Sequence, residues 1–183
     1  MADQSTAGVT VAELVLTAQA VASGAMCGLI WFVQAVHYPL FAAVGDERSR
    51  DYAVEHQRRT TPVVLPFMLV ELVTASIVAV WPPAGIGRGP AFLGLALVAS
   101  IWLSTFLVQV PLHGRLAAGE HSPPLVAALV RGNWLRTIAW TARAILAVWM
   151  LRAAACPTSS GLRGLAVPGT AVVGFTPALP LLP

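Results

Sequence analysis

Charged residues are scarce in this chain, and lysine is missing altogether. Only 10% of the 183 residues are charged, and every one of the eleven basic residues is Arg. A soluble domain carries about 25% charged residues, so this chain has too few to cover a surface that faces water. The net charge of +3 is small and is spread over loops and helix ends. The sequence therefore excludes an ordinary soluble domain and a nucleic-acid-binding surface.

Cysteine is almost as rare. Cys27 lies inside an apolar run and Cys156 follows the last such run, and neither belongs to a CxxC or Cys/His pattern. Cys27 is therefore interpreted as a small packing residue. The first residues lack the basic segment of a cleaved signal peptide, so the first apolar run is expected to remain as a helix.

What the chain has in abundance is apolar sequence. Hydrophobic residues make up 57% of it, and the mean hydropathy is +0.75. A membrane-spanning helix needs about 20 apolar residues, and four stretches supply them. These stretches predict an all-α integral membrane four-helix bundle over residues 1–155, with the lipid bilayer as its surroundings, and residues 156–183, rich in Pro, Gly, Ser and Thr, are predicted to be a disordered tail. The predicted spans are residues 11–40, 62–81, 90–112 and 134–154.

Loop arginines predict the orientation of the bundle. With four spans, the first connection (residues 45–59) and the third (residues 114–132) lie on the same side, and they hold most of the arginines outside the spans. The positive-inside rule places that side in the cytoplasm and both termini outside. We expect a multi-pass protein of a cell membrane, a bacterial plasma membrane, and a homo-oligomer is compatible with the sequence.

Two pairs of segments indicate an internal repeat. Residues 32–40 and 106–113 are both apolar helix ends that contain Gln, His and Pro-Leu. Residues 56–60 and 133–137 both follow the pattern of His or Asn, two residues, and then Arg-Thr. Two copies of a two-helix hairpin would give this arrangement. Coincidence in an Ala-, Val- and Leu-rich chain is the alternative.

Each predicted helix carries one stripe of polar residues at helical spacing, densest toward the first and third connections. Polar groups within a span are costly and usually face the bundle interior. We expect the stripes to converge on one pocket. The candidate catalytic residues are His37, His56, His113, Arg136, Arg59 and Asn133, and the candidate substrate-binding residues are Gln34, Gln109, Thr105, Trp140, Glu71 and Arg143.

Glu71 and Arg143 lie deepest in the predicted spans. Each is about ten residues into its helix, which at about 1.5 Å per residue is close to the bilayer midplane. A lone charge there costs at least ~2.5–3.5 kcal/mol, so the two are predicted to pair. The pair either fixes how the helices assemble or forms the floor of the polar pocket.

The three histidines of the stripes give the pocket its chemistry. Near neutral pH a histidine serves as a general base, a metal ligand or a haem ligand, and His37 with His113 would be the axial pair for a haem. The plain alternative is that each histidine caps a helix end and that Arg59 and Arg136 anchor lipid phosphates. No metal site is predicted, and any cofactor is unknown.

Several neighbouring residues receive simpler interpretations. Pro39 and Pro111 are expected to break their helices where the polar groups gather. His121 is expected to have no specific role. Tyr38 is predicted to lie in an interfacial aromatic belt, together with Trp31, Trp81 and Trp134.

Residues 109–113, followed some twenty residues later by residues 133–137, resemble the anthrone-oxygenase-like family of small four-helix membrane proteins. In that family a helix ends in Val-Pro-Leu, and a later helix begins with Asn-x-x-Arg-Thr. The resemblance covers residues 95–150 best and implies a cofactor-free oxygenase acting on a hydrophobic aromatic molecule. The matching positions are Pro111, Asn133, Arg136 and Thr137; the family often has Asn where this chain has His113.

Four functions are compatible with the sequence. The first is a membrane oxidoreductase of oxygenase type, in which a histidine acts as base and an arginine stabilises an enolate or phenolate. The second is a small transport protein with a pathway past Glu71 and Arg143. The third is a haem- or metal-holding subunit, and the fourth is an accessory membrane subunit without catalysis.

Overall fold

The computed structural model describes residues 9–155 and confirms the predicted all-α four-helix bundle. Every helix contains an apolar window long enough to cross a membrane. The predicted disordered tail lies outside the described residues, as does Cys156. The four helices are α1 (Val11–Ala43), α2 (Asp46–Val80), α3 (Arg88–Ala117) and α4 (Pro123–Ala155).

Short connections join the helices into an up-and-down bundle. Residues 44–45, 81–87 and 118–122 separate them, so each helix runs antiparallel to the next. Contacts join α1 to α2, α2 to α3, α3 to α4, and α4 back to α1. The first and third connections consequently meet at one end of the bundle, and that end is called the site end below.

The bundle carries its apolar side chains outside and several polar ones inside. Leu107 on α3 and Ile145 on α4 are exposed, whereas Glu71, Asn133 and Arg143 are fully buried. Water-soluble proteins show the opposite distribution. In a bilayer, however, the surroundings are as apolar as leucine, and the bundle interior is where polar groups find partners. The chain is a multi-pass membrane protein with buried polar His and Arg side chains.

The second helix begins well before its predicted span. It starts at Asp46 and continues through Pro62 without a break. Asp46 and Glu47 in its first turn favour a helix N-terminus electrostatically. Farther along the helix, Glu55 pairs with Arg58, which lies three residues after it. Most of the first connection that the sequence predicted, residues 45–59, is therefore a charged helical extension of the second span.

A wide turn interrupts α1 and α3 at matching places. Val33–His37 and Thr105–Gln109 are five-residue π-helical turns, and Pro39 and Pro111 each follow two residues after such a turn. A proline lacks the N–H of a helical hydrogen bond and crowds the preceding turn, and a π turn absorbs both defects. The expectation that these prolines break the helices was therefore wrong, because both helices continue past them. The predicted hairpin duplication stays a prediction, and this shared turn is a second similarity in its favour.

Close packing of α4 on the π turn of α3 depends on Gly132. A Cβ atom at this position would lie 2.9 Å from Cγ1 of Val108 and 3.3 Å from Nε2 of Gln109. Val108 is β-branched, so its side chain has little freedom to rotate away from the added atom. The lack of a side chain at Gly132 therefore lets the two helices meet beside Gln109.

Gly132→Ala is expected to destabilise the bundle by about 1–3 kcal/mol through overpacking. Gly28→Ala on α1 is the matched control, because a Cβ atom there has no neighbour within 4 Å. Higher helix propensity should stabilise the control by about 0.5–1 kcal/mol. Thermal unfolding in detergent, followed by circular dichroism, should shift the two midpoints in opposite directions. Equal midpoints would contradict the close contact of α3 with α4.

Candidate functional site

Three histidines from three helices meet at the site end of the bundle. Nε2 of His37 on α1 lies 2.7 Å from Nδ1 of His56 on α2, and their ring centres are 4.6 Å apart. The ring of His56 also stacks on that of His113 from α3, at 5.0 Å between centres. Two ring nitrogens at this distance are joined by one hydrogen bond, in which one ring donates and the other accepts. The predicted convergence of these side chains is present in the structure.

Tyr38 belongs to this cluster, and its predicted place in an interfacial belt was wrong. Its side chain is only 3% exposed, and its hydroxyl lies 2.9 Å from Nε2 of His113. The guanidinium of Arg136 lies beside the same hydroxyl. One feature of the sequence pointed to a place for Tyr38 in the site: it stands directly between His37, a predicted site residue, and Pro39.

A buried amide network holds Arg136 in place. Oδ1 of Asn133 accepts a hydrogen bond from Nη1 of Arg136 at 3.2 Å. Nδ2 of Asn133 in turn donates to Oε1 of Gln34 at 3.0 Å, and the hydroxyl of Thr137 donates to the same oxygen. Gln34 and Asn133 thus position Arg136 across the seam between α1 and α4.

A cavity of about 140 Å³ opens beside the cluster, between α2 and α3. The predicted stripe of Thr105, Gln109 and His113 on α3 lines one side of it. Gln57, which the sequence analysis did not single out, lines the α2 side and donates from Nε2 to the carbonyl of His113 at 3.2 Å. The remaining lining residues are Tyr38, His56, Thr60, Thr61, Val64, Val110 and Arg136.

Several buried polar atoms at this cavity have no partner in the described part of the protein. They are Nε2 and Oε1 of Gln109, Nδ1 of His113 and Nε of Arg136. A buried polar group without a hydrogen bond costs about 1–3 kcal/mol. Side chains that line the cavity therefore carry unused donors and acceptors.

A second opening lies on the other side of His56, between α1 and α2. It is a groove of about 200 Å³ with Leu29, Phe32 and Val63 in its walls. Arg59, which we predicted to lie among the histidines, stands at its rim instead. The Arg59 side chain is 73% exposed and pairs with Glu55, so it borders the cluster without entering it.

The predicted pair of Glu71 and Arg143 is confirmed as a contact. Nε of Arg143 lies 2.7 Å from Oε2 of Glu71, and both side chains are almost completely buried. Ser23 donates a further hydrogen bond to Glu71. Neither charged residue lines the cavity. The pair is a separate polar layer in the bundle and lies outside this cavity.

Trp140 does not line the cavity either. Its side chain is 1% exposed and packs within the apolar core near the site end. Its predicted contact with a substrate therefore finds no support in its position.

The cluster does not fit a haem between His37 and His113. The ring of His56 contacts both of the proposed ligands, at 4.6 and 5.0 Å between centres. An iron with its porphyrin would have to displace His56. Within residues 9–155, no group of three His, Cys, Asp or Glu side chains is arranged to hold a metal ion.

His121 has a specific structural role, contrary to expectation. Nδ1 of His121 lies 2.7 Å from Oδ1 of Asp46, and Nε2 lies 3.0 Å from the carbonyl oxygen of Phe41. Both partners are acceptors, so the protonated ring, which donates from both nitrogens, is the form that satisfies both. These bonds raise the pKa of His121 above its usual value of 6.5, the Asp46 bond first and the Phe41 bond second. His121 thereby fastens the third connection to the end of α1 and the start of α2.

Hydrogen exchange in residues 118–122 should depend on pH through His121. Because the folded pKa is raised, the clasp is complete below pH 6.5 and is lost as pH rises through the higher folded value. After correction for intrinsic rates, exchange should be slower at pH 6 than at pH 9, and His121→Ala should remove the difference. Arg115→Ala is the control, since it breaks only the Arg115–Glu120 pair of the same connection. A pH step that persists in His121→Ala would contradict the clasp.

The fold and the cluster define a class: a four-helix membrane protein with a polar, histidine-rich site at one end. Comparison with protein-family models, with curated proteins and with solved structures finds no match to this chain.

Proposed function

We propose that this chain is a membrane-bound oxidoreductase of oxygenase type that acts on a hydrophobic aromatic substrate. The observation that carries the proposal is the contact of three histidine rings from three helices beside a cavity with unpartnered polar atoms. The resemblance of residues 109–113 and 133–137 to the anthrone-oxygenase-like family supports the same reaction class.

The reaction begins with removal of a proton. His56 borders the cavity and is hydrogen-bonded to His37, so a proton accepted by His56 can pass to the pair. The substrate anion that remains is stabilised by the guanidinium of Arg136. His37 and His56 also border an outer groove with Glu55 and Arg59, through which the proton reaches water.

The anion then reduces molecular oxygen. For an aromatic ketone with a CH₂ group, the carbon takes up one oxygen atom as a new carbonyl, and the other atom leaves with the two hydrogens as water. A hydroquinone has no such carbon, so it would pass two electrons and two protons to oxygen and give a quinone and hydrogen peroxide. Both reactions balance with oxygen as the oxidant.

An accessory subunit without catalysis explains the site less well. A packing role is satisfied by closed hydrogen bonds, such as those of Asn133 with Gln34. Gln109, in contrast, is buried with both amide atoms unpartnered, which destabilises the free bundle. Transport is also less well supported, because tightly packed Ser23, Glu71 and Arg143 close the bundle below the site.

Oxygen uptake by the protein in lipid nanodiscs tests the proposal. Two substrates are supplied, anthrone with three fused rings and decylhydroquinone with one ring and an alkyl tail. We expect at least one to be consumed faster than with empty nanodiscs, with ¹⁸O from labelled oxygen in the anthrone product or peroxide from the hydroquinone. Rates equal to those of empty nanodiscs for both substrates would contradict the proposal. We further infer that the site end faces the cytoplasm of a bacterial cell, since the arginine-rich residues 45–59 and 114–132 lie there.

A further inference from the structure

We propose that the cavity between α2 and α3 binds the single ring of a hydroquinone whose alkyl tail lies in the bilayer. This deepens the proposed function by assigning it the second of the two reactions above, the oxidation of a hydroquinone to a quinone with release of hydrogen peroxide. The inference rests on the proposed function for turnover, whereas binding itself can be tested alone. The inference stands on the size of the cavity, its unpartnered atoms and its opening.

The volume selects one ring. The cavity measures about 140 Å³, and a cavity of about 150 Å³ in another protein accepts one benzene molecule. A bulkier set of fused rings exceeds this space. One six-membered ring with small substituents is therefore the size of head group that matches the cavity.

The unpartnered atoms select the chemistry of that ring. Nε2 of Gln109 and Nε of Arg136 are donors, and Oε1 of Gln109 is an acceptor. Nδ1 of His113 is a further unpartnered atom, and the tautomer of the ring sets whether it donates or accepts. A ring with one electron-rich oxygen for the donors and one hydroxyl for the acceptor satisfies this set, and a hydroquinone has both.

All three side chains are more than nine-tenths buried. Gln109 is 2% exposed, Arg136 7% and His113 9%. Water competes weakly for such atoms, so a ligand that reaches them gains hydrogen bonds in surroundings of low dielectric constant. The site is therefore built into the helices and does not depend on a mobile loop.

The opening of the cavity indicates where the alkyl tail of the hydroquinone lies. Thr61 on α2 and Val110 on α3 line the cavity and are exposed on the outer face of the bundle. Within a bilayer that face is covered by lipid. A ring that lies against Gln109 can leave its alkyl tail between Thr61 and Val110 among the lipid chains.

Gln109→Leu and Gln19→Leu form the test pair. Gln19 is also a fully buried glutamine with an unpartnered Oε1, but it contacts Met150, at the other end of the bundle. Both variants remove an unsatisfied amide, so both should unfold at a temperature no lower than that of the parent when no ligand is present. Only Gln109→Leu should weaken ligand binding.

Binding of decylhydroquinone is measured under nitrogen, in nanodiscs, with empty nanodiscs subtracted. We expect saturable binding, a loss of about 10-fold or more in Gln109→Leu, and no change in Gln19→Leu. Decylbenzoquinone, which lacks a hydroxyl donor, should bind more weakly, and anthrone should compete poorly. Absence of saturable binding, equal effects of the two variants, or stronger binding of anthrone would overturn the inference.

Turnover separates this inference from the proposed function. Oxygen uptake with anthrone and no hydroquinone binding would leave the enzyme standing and remove the single-ring site. Saturable hydroquinone binding without oxygen uptake from either substrate would keep the site and remove the oxidoreductase.

Discussion

Glu71→Leu is expected to lower the free energy of unfolding by about 3–5 kcal/mol, the largest stability effect of any single substitution considered for this bundle. The change leaves the guanidinium of Arg143 buried without a counter-ion. Nη1 and Nη2 of Arg143 already lack partners among the described residues, so the carboxylate of Glu71 provides its ion pair. Both side chains are almost completely buried, so bulk water does not take its place.

The double variant Glu71→Leu/Arg143→Met should be far more stable than Glu71→Leu. Replacing both charges by apolar side chains of similar volume removes the desolvation cost together with the attraction. Reversible unfolding in mixed detergent micelles gives all the values for a double-mutant cycle. Ser23→Ala, which removes only the neutral hydrogen bond to Glu71, is the control and should cost about 1 kcal/mol. Additive effects of the two charge substitutions would show that the side chains are not in contact.

His56→Gln is expected to lower oxygen-dependent turnover by about 10²–10⁴-fold, the usual contribution of a positioned acid–base group. His56 stands between the cavity and the outer groove with Glu55 and Arg59. Both His56 and Thr60 line these two openings. Glutamine preserves hydrogen-bonding capacity but takes up no proton near neutral pH. The proton released by the substrate then has no route to His37.

His121→Gln is the matched control for this variant. It makes the same chemical change at the same end of the bundle, but His121 lies in the third connection and does not line the cavity. Its turnover should equal that of the parent protein. Initial rates of oxygen uptake at saturating substrate provide the comparison. Similar rates for His56→Gln and the parent would remove His56 from the mechanism.

The membrane class and the helix number follow from the sequence because they depend on long apolar stretches. Convergence of His37, His56 and His113 could also be predicted, because polar side chains in a membrane bundle have only its interior to face. The pairing of Glu71 with Arg143 followed from the same cost of burial.

Other features depend on local geometry that helical periodicity does not describe. The π turn Val33–His37 adds a residue to α1 and rotates the following residues by about 100° relative to a regular helix. Tyr38, which its aromatic side chain placed in the interfacial belt, follows this turn and points inward onto His113. The position of His121 depends on how two connections meet, and neither connection contains that information alone.

Arg59 and Arg136 illustrate how one local neighbour decides the outcome. They occupy equivalent positions in the predicted repeat, yet Arg59 is exposed and Arg136 is buried. Four residues before Arg59 stands Glu55, which holds its guanidinium at the surface. The equivalent position before Arg136 is Gly132, which offers no carboxylate. Helical periodicity alone predicted that both arginines lie among the histidines of the pocket.

The central claim is that histidines of three different helices form one hydrogen-bonded and stacked cluster. Solid-state NMR of ¹⁵N-histidine-labelled protein in lipid bilayers tests it most directly. We expect a ¹⁵N–¹⁵N correlation between Nε2 of His37 and Nδ1 of His56 across their 2.7 Å contact, which His56→Gln abolishes and His121→Gln leaves unchanged. Isolated histidine signals with no such correlation in the parent protein would contradict the cluster and the function proposed for it.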